Sequence, residues 1–249
     1  MCFLNGYYDI KDKDFKNYDN MVYTLKYINK NYNEEVNEKM MINLNEIILD
    51  PILGEEKEKA LRYWSRALFA MTDKAWAVGL GARNTGKSII TSFFEQTFGN
   101  YVKIFNAENL MCMRMSSGDI AKKLSWIVPF QYSRLYFSNE MKTEDDNGKK
   151  LTLDCNQIKS ISSGTDSKEA RQNYQNEKTF RIQGSMCLFM NELAKLSHQD
   201  ATENLIQFNF NNIFVDELTP KHIKINEIGE GVKYRLKDDK IKEYISNPE

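Results

Sequence analysis

The segment that most constrains the fold runs from Trp76 to Phe98 and reads WAVGLGARNTGKSIITSFFEQTF. An apolar run is followed by a loop of the pattern G-x-x-x-x-G-K-S, and an amphipathic helical pattern begins at Lys87. Glycines allow a backbone to curl until its N–H groups face one point, and a helix N-terminus adds about half a positive charge there. The segment therefore predicts a buried strand, an anion-binding loop and a helix in succession.

Composition sets the limits within which this segment acts. The chain has 249 residues, 41% of them hydrophobic, which is enough for one large or two small domains. A formal net charge of −1 gives no global positive field, so any contact with nucleic acid has to be local. Four cysteines without CxxC spacing are expected to be reduced thiols of an intracellular protein. The apolar runs are far shorter than the ~18 residues of a membrane span, and residues 1–4 begin no signal peptide, so no membrane partner is expected.

Changes in the residue pattern along the sequence divide the chain into four parts. Residues 1–33 carry the Asn5-Gly6 turn signal and predict a hairpin with a tyrosine-rich tail, and residues 34–75 carry two helical patterns. Residues 76–218 alternate between strand and helix patterns, and residues 219–249 begin a helical region that is expected to be truncated. We predict strands at 76–80, 101–106, 133–138, 185–190 and 205–210, and helices at 87–98, 117–127 and 154–161. This alternation predicts an α/β fold, a three-layer sandwich with a mostly parallel central sheet, preceded by a small helical segment.

The glycine-rich loop predicts a nucleoside triphosphate, ATP, as its ligand. Lys87 is predicted to reach the β- and γ-phosphates, and the Ser88 hydroxyl is predicted to hold Mg²⁺. The alternative is that the G-x-x-x-x-G-K-S pattern is a chance match in a tight strand–helix turn. The predicted ATP-binding residues are Gly81, Ala82, Arg83, Asn84, Thr85, Gly86, Lys87 and Ser88.

Two strand ends offer an acidic residue to complete such a site. SRLYFSNEM ends near Glu140, 53 residues after Lys87, whereas NNIFVDEL ends at Asp216-Glu217, more than twice as far along the chain. A compact sheet places the acidic strand within one or two strand–helix units of the loop. This spacing favours Glu140 as a ligand of Mg²⁺ and activator of water, facing the loop from an adjacent strand, and leaves Asp216-Glu217 as a solvated turn before Pro220. Asn191, at the end of SMCLFM, is predicted to contact the γ-phosphate or the attacking water.

These segments, in this order, resemble the superfamily-three helicases of DNA viruses. The resemblance is greatest to the primase-helicase ATPases of poxviruses and other large nucleocytoplasmic DNA viruses, and it covers about residues 4 to 245. The similar stretches are FLNGYYDIKDKDF, DPILGEEKEKALRYWSRALFAM, GARNTGKS, NYVKIFNAENL, SRLYFSNEM, ISSGTDSKEARQNYQNEKTFRI and CLFMNEL. The resemblance implies an AAA+-like phosphate-loop fold and an ATP-driven DNA helicase of viral or plasmid-like replication. It also implies a homo-oligomer, a hexameric ring with ATP between subunits, acting on single-stranded or forked DNA, with a primase as a further partner. The resemblance implies that the protein acts inside the cell, in the host cytoplasm or at a viral replication site.

The resemblance further implies a DNA-contacting hairpin between the acidic strand and the Asn-tipped strand. The matching basic residues are Lys168, Arg171 and Lys178, with Tyr174 nearby to stack on a base. Segment 142–181 holds eight basic and seven acidic residues, a net charge of +1. On charge alone that segment would be a solvated surface, so the DNA contact rests on the resemblance.

Three departures from the family pattern keep other functions open. Asn139 stands where the family has a second acidic residue, and segment 200–214 lacks the arginine that acts on the neighbouring subunit's ATP. The primase region that precedes the helicase in relatives is absent, which leaves a fragment, a split gene product or a decayed copy as alternatives. A nucleotide-binding scaffold without hydrolysis, and a regulatory phosphate-loop switch that binds protein and no DNA, are the competing hypotheses.

Overall fold

The computed structural model describes residues 1–112, 119–142, 144, 148–172, 174–229 and 231–246. Its α-helices are α1 (Glu38–Asn43), α2 (Asp50–Leu53), α3 (Lys57–Leu68), α4 (Lys87–Phe98), α5 (Ile120–Lys123), α6 (Cys155–Ser162), α7 (Pro220–Ile228) and α8 (Lys240–Ser246). A π-helical turn, Leu44–Leu49, joins α1 to α2, and 3₁₀ turns cover Gly54–Glu56, Gly99–Tyr101, Ala107–Leu110, Ser125–Phe130 and Gln199–Asn204. Within these described ranges, no helix has the length and apolar character needed to cross a bilayer.

Five of the strands form one parallel sheet at the centre of the molecule. The strands are β1 (Tyr7–Asp9), β2 (Asp14–Lys16), β3 (Trp76–Leu80), β4 (Val102–Phe105), β5 (Leu135–Met141), β6 (Thr152–Leu153), β7 (Ser167–Ala170), β8 (Lys178–Arg181), β9 (Ser185–Met190), β10 (Lys195–Leu196), β11 (Leu205–Asn209), β12 (Asn212–Val215) and β13 (Lys233–Leu236). The central order is β11-β3-β9-β5-β4, and every neighbouring pair is parallel. The predicted α/β fold is confirmed, and the carboxyl ends of all five strands meet at one edge.

Alternate side chains of the central strands pack against two different layers, as expected for strands buried on both faces. Ala77 and Phe137 face the layer that contains α3, α4 and α8, whereas Val78 and Tyr136 face the layer that contains α6 and the turn at 125–130. These three layers are the predicted sandwich. Each predicted strand matches an observed one to within three residues at either end.

Helix α3 is held to the sheet by two buried aromatic side chains, Tyr63, whose hydroxyl donates to the Met186 carbonyl at 2.7 Å, and Trp64. Trp64 is fully buried, and its ring centroid lies 5.0 Å from Phe94 of α4 and 5.8 Å from Phe208 of β11. Because the Trp64 ring touches both the helix after the glycine-rich loop and an edge strand, the predicted helical segment before the loop is part of the main core.

The helix predicted at 117–127 differs most from the structure. Residues 117 and 118 lie outside the described residues, α5 spans four residues, and a 3₁₀ turn containing Pro129 follows. Proline lacks the N–H that an α-helix needs and clashes with the preceding turn, so the chain adopts the tighter 3₁₀ form there.

The segments at the two ends of the chain pack onto the central layers. Near the start, β1 and β2 form the predicted hairpin, and the Tyr101 hydroxyl donates a hydrogen bond to the Lys26 carbonyl at 3.0 Å. After the central sheet, β12 and β13 form a parallel pair that the sequence did not predict, with α7 between them. Ile241 and Ile245 of α8 are buried in the core cluster of α4, so α8 packs against the helix that follows the loop.

Candidate active site

The glycine loop, residues 81–88, has a backbone shape that two of its glycines make possible. Gly86 has a φ of +85°, in the left-handed region, and a Cβ there would lie 2.9 Å from the Ile52 side chain. A Cβ on Gly81 would lie 2.7 Å from Phe210 Cβ and 2.9 Å from its carbonyl oxygen. The loop therefore turns tightly between β3 and α4, as the sequence predicts, and α4 begins at Lys87.

The Lys87 side chain folds back over the glycine loop and does not extend into solvent. It is buried, and its Nζ donates hydrogen bonds to the carbonyl of Gly81 and, at 2.8 Å, to that of Ala82. Nζ also lies 3.4 Å from Asn191 Oδ1 and 3.8 Å from Glu140 Oε1. Burial lowers the pKa of Lys87 from its ordinary value, and the Glu140 carboxylate opposes that shift. The three residues predicted to be catalytic are thus brought together around one ammonium group.

The expectation that Glu140 lies on a strand adjacent to the loop strand is wrong. Strand β9 is inserted between β3 and β5, so the Asn191 strand is the neighbour of β3 and the Glu140 strand lies one further out. Glu140 still reaches Lys87 because its side chain is long and all three strands end at the same edge.

A bulge in β5 decides which residue of the Asn139-Glu140 pair faces the loop. Phe137 pairs with Cys187, but Glu140, and not Asn139, pairs with Phe189, so one extra residue lies on β5. The Ser138 hydroxyl accepts the Phe189 N–H at 2.8 Å within this irregularity. Paired residues of parallel strands share a face, and a shift of one residue exchanges the faces. The bulge therefore places Glu140 on the Phe189 face, which is the face that packs against α4.

Asn139 has a structural contact at this edge. Its Oδ1 accepts the Ala107 N–H at 2.9 Å, and its amide nitrogen lies 3.5 Å from Asn106 Oδ1. Asn139 thus ties the end of β5 to the turn after β4. An aspartate there could accept the same N–H, so the amide is not required by this bond alone.

The glycine loop opens into a cavity of about 560 Å³. Ser88 and Glu140 both line it, and a hydroxyl and a carboxylate are oxygen ligands of the kind that Mg²⁺ prefers. Asp216 also lines the cavity, although it lies in the exposed bend before Pro220 that the sequence predicts. The full lining is Ile52, Arg83, Asn84, Thr85, Gly86, Lys87, Ser88, Ile89, Glu140, Phe214, Asp216, Lys237, Asp238, Asp239, Ile241 and Lys242.

Several of these lining residues were missed by sequence reasoning. Lys237, Phe214 and Ile241 come from the segment after the central sheet, and no motif marks them. The contact that brings them in is a backbone hydrogen bond of 2.8 Å from Phe214 N–H to the Asn84 carbonyl of the loop. Side-chain pattern does not encode such a bond, so the sequence contains no signal for it.

The second predicted site, the basic hairpin, exists as the antiparallel pair β7 and β8. Lys178 is exposed, and Tyr174, in the loop between the strands, is fully exposed. Arg171 is partly exposed and its Nε donates to Asp119 Oδ2 at 3.1 Å. Lys168 is buried, with its ammonium group bonded to the Ser160 hydroxyl, so the prediction that Lys168 contacts DNA does not fit the structure. The alternation of side chains along β7 directs Lys168 inward.

Replacing Gly86 with alanine is expected to destabilise the protein and weaken nucleotide binding. A non-glycine residue in the left-handed region costs about 1–2 kcal/mol, and the new methyl group would also press on Ile52. Gly229→Ala is the matched control, because Gly229 has a φ of +74° but no described atom lies within 4 Å of its added Cβ. Denaturant unfolding and nucleotide titration of both variants provide the comparison. Equal losses of nucleotide affinity in the two variants would contradict a specific role for the loop.

The fold and the site together define an α/β protein with a glycine loop at the carboxyl edge of a parallel sheet, where a lysine, a glutamate and an asparagine meet. Protein V13 of Sputnik virophage, a candidate helicase, is 27% identical to this chain over 182 residues. The match covers 67% of this chain and 23% of V13, so the chain spans about a quarter of that relative. No family model matches the chain.

Solved structures with a similar fold include a region of NrS-1 and the JCV helicase. The C-terminal region of NrS-1, residues 305–718, superposes with a TM-score of 0.46 at 12% identity, over 70% of this chain and 38% of that one. The JCV helicase superposes with a TM-score of 0.47 at 10% identity, over 71% of this chain and 46% of that one. At sequence level, the chain is similar to a helicase-type protein over two thirds of its length.

Proposed function

We propose that this chain is an ATP-dependent DNA helicase of the superfamily-three type, related to the primase-helicases of poxviruses and other large nucleocytoplasmic DNA viruses. The observation that carries the proposal is the convergence of Asn191 and Glu140 on the buried Lys87 ammonium, at 3.4 and 3.8 Å, beside the glycine loop. Three sequence-distant groups of the types that phosphoryl transfer needs meet at the Lys87 ammonium, and two of them, Lys87 and Glu140, line the cavity. The similarity to the virophage protein supports the helicase assignment over other nucleotide enzymes.

In this proposal the residues of the site bind the nucleotide, hold its metal ion and activate the attacking water. The loop N–H groups and Lys87 bind the phosphates of ATP, and Lys87 exchanges its present carbonyl acceptors for phosphate oxygens. Asn191 orients the terminal phosphate or the attacking water, and Glu140 accepts a proton from that water. Ser88 and Glu140 would hold Mg²⁺, which neutralises phosphate charge when bound.

The proposed enzyme works as a hexameric ring on single-stranded or forked DNA in viral or plasmid-like replication, inside the host cell, with a primase as a further partner. Segment 200–214 contains no arginine or lysine, so a cation acting on the neighbouring subunit's ATP has to come from elsewhere in the chain. Ring assembly multiplies a weak hairpin contact by the number of subunits, which raises the effective affinity for DNA.

The test is a paired measurement of phosphate release and strand separation. Purified protein is incubated with MgATP, with and without single-stranded DNA, and separately with a labelled forked duplex. The proposal expects DNA-stimulated phosphate release that weakens steeply with salt, together with ATP-dependent unwinding. Phosphate release that DNA never alters, together with no unwinding, would argue for a regulatory switch.

Replacing Tyr174 with alanine is expected to weaken single-stranded DNA binding by about tenfold, since stacking of one base on an aromatic ring contributes about 1–3 kcal/mol. Lys178→Ala is expected to weaken binding and to reduce its salt dependence. Tyr23→Ala is the matched control, because Tyr23 is also highly exposed but lies in the segment before the sheet. Fluorescence anisotropy with labelled DNA measures the three variants. If Tyr23→Ala weakened binding as much as Tyr174→Ala, the hairpin would lose its assigned role.

The second candidate is a nucleotide-binding scaffold without hydrolysis. It is favoured by Asn139, whose amide replaces the family's second acidic residue and bonds to the Ala107 N–H. Tight nucleotide binding without phosphate release, with or without DNA, would select the scaffold over the helicase.

A further inference from the structure

The cavity beside the glycine loop carries more charged groups than the predicted site uses. Its basic residues are Arg83, Lys87, Lys237 and Lys242, and its acidic residues are Glu140, Asp216, Asp238 and Asp239. Formal charges of the two signs are equal in number, so these side chains together give the cavity no net positive charge. Selective binding of a triphosphate therefore requires particular cations to turn toward it.

Lys237, one of the basic residues that line this cavity, forms an ion pair with an exposed carboxylate. Its Nζ lies 2.9 Å from Asp216 Oδ1, and the two side chains are 37% and 87% exposed. Ion pairs at such exposure are weak because water and salt screen them. A more highly charged acceptor inside the cavity can therefore take the ammonium group from Asp216.

The backbone of Lys237 is fixed relative to the glycine loop. Its N–H donates to the Val215 carbonyl at 2.9 Å, at the end of the β12–β13 pair, and β12 is in turn bonded to the loop through Phe214 and Asn84 at 2.8 Å. Ile241, four residues further on, is buried against the α4 layer. The lysine side chain can thus change partners while its anchoring point stays in place.

We propose that Lys237 is a second phosphate-binding cation of this site, and that Asp216 is its resting partner when no triphosphate is bound. The inference rests on the proposed function, since it assigns an additional contact to the same ligand. Lys87 binds the phosphate chain from the glycine loop, and Lys237 binds it from the end of β13, in the same cavity. A charge-assisted hydrogen bond to a phosphate oxygen replaces the exposed ion pair, and this exchange couples ligand binding to the β12–β13 pair, where the Lys237 backbone is anchored.

The test compares nucleotide affinity in full-length variants by titration calorimetry with MgATP. Lys237→Ala is expected to weaken binding by about tenfold, the loss of one charge-assisted hydrogen bond. Lys233→Ala removes the same charge from β13 at a position that does not line the cavity, and it is expected to leave affinity unchanged. Asp216→Asn is expected to strengthen binding, because it frees Lys237 and removes a negative charge near the phosphates. Lys237→Arg keeps the charge and is expected to bind close to the parent.

Three outcomes would overturn the inference. The first is a Lys237→Ala protein that binds as tightly as the parent, and the second is an Asp216→Asn protein that loses affinity as Lys237→Ala does, which would make the pair a structural bond. The third is a Lys237→Ala protein whose weak binding is accompanied by a fall in melting temperature, while a Lys237→Gln protein binds MgATP as tightly as the parent. That pattern would show that the loss reflects stability and not the ammonium charge. If the parent binds MgATP and Lys87→Ala does not, the proposed function survives the failure of this inference. A parent protein that binds no nucleotide would end both.

Discussion

Replacing Lys87 with alanine is expected to reduce ATP turnover at least a hundredfold, to a level near background. The Lys87 ammonium is the group on which the Gly81, Ala82, Asn191 and Glu140 oxygens converge, within 3.8 Å in each case. Alanine would leave those oxygens without their shared cation and would remove the charge that is proposed to stabilise the phosphates during transfer. Loss of one such stabilising group typically costs a factor of about 10²–10³ in rate.

The measurement is steady-state phosphate release over a range of MgATP concentrations. Lys221→Ala is the matched control. Lys221 is exposed on helix α7, away from the cavity, and its replacement removes the same single charge. Melting temperatures of both variants establish that the fold is retained. A Lys87→Ala protein that hydrolyses ATP at the parent rate would remove the basis of the whole site assignment.

Replacing Glu140 with glutamine is expected to separate binding from hydrolysis. Glutamine has nearly the same shape but cannot accept a proton from water, so turnover is expected to fall by about 10²–10⁴ while nucleotide still binds. Little change in stability is expected, since the Glu140 side chain is 49% exposed and its pair with Lys87 is long at 3.8 Å. Single-turnover phosphate release and nucleotide titration measure the two effects separately.

Asn139 offers the control for Glu140. Because of the bulge, its side chain bonds to the Ala107 N–H on the turn after β4, so Asn139→Asp adds a carboxylate to the same edge while keeping an acceptor for that bond. Asn139→Asp is expected to retain hydrolysis. If Glu140→Gln hydrolysed ATP normally and Asn139→Asp did not, the catalytic role would have been assigned to the wrong residue of the pair.

Structural features that depend on neighbouring residues were predictable from the sequence, and those that depend on distant contacts mostly were not. The strand, loop and helix at 76–98 were predictable because apolar runs, left-handed glycine positions and helix starts are local properties of a few consecutive residues. The meeting of Lys87 with Glu140 and Asn191 was also predictable, since the carboxyl ends of parallel strands lie at one edge. The burial of Lys168 was not, because it depends on which face of β7 packs against α6, where Ser160 lies.

The sequence by itself determined that this chain builds an α/β sheet with a glycine loop between a buried strand and a helix, and it marked the lysine and the glutamate that meet there. Only the tertiary structure decided that β9 separates the loop strand from the acidic strand, that a bulge turns Glu140 and not Asn139 toward α4, and that Lys237 joins the cavity from more than a hundred residues away. The physical reason is that strand order, register and long-range backbone hydrogen bonds are set by the packing of the whole core. Residues close in sequence cannot specify those pairings alone.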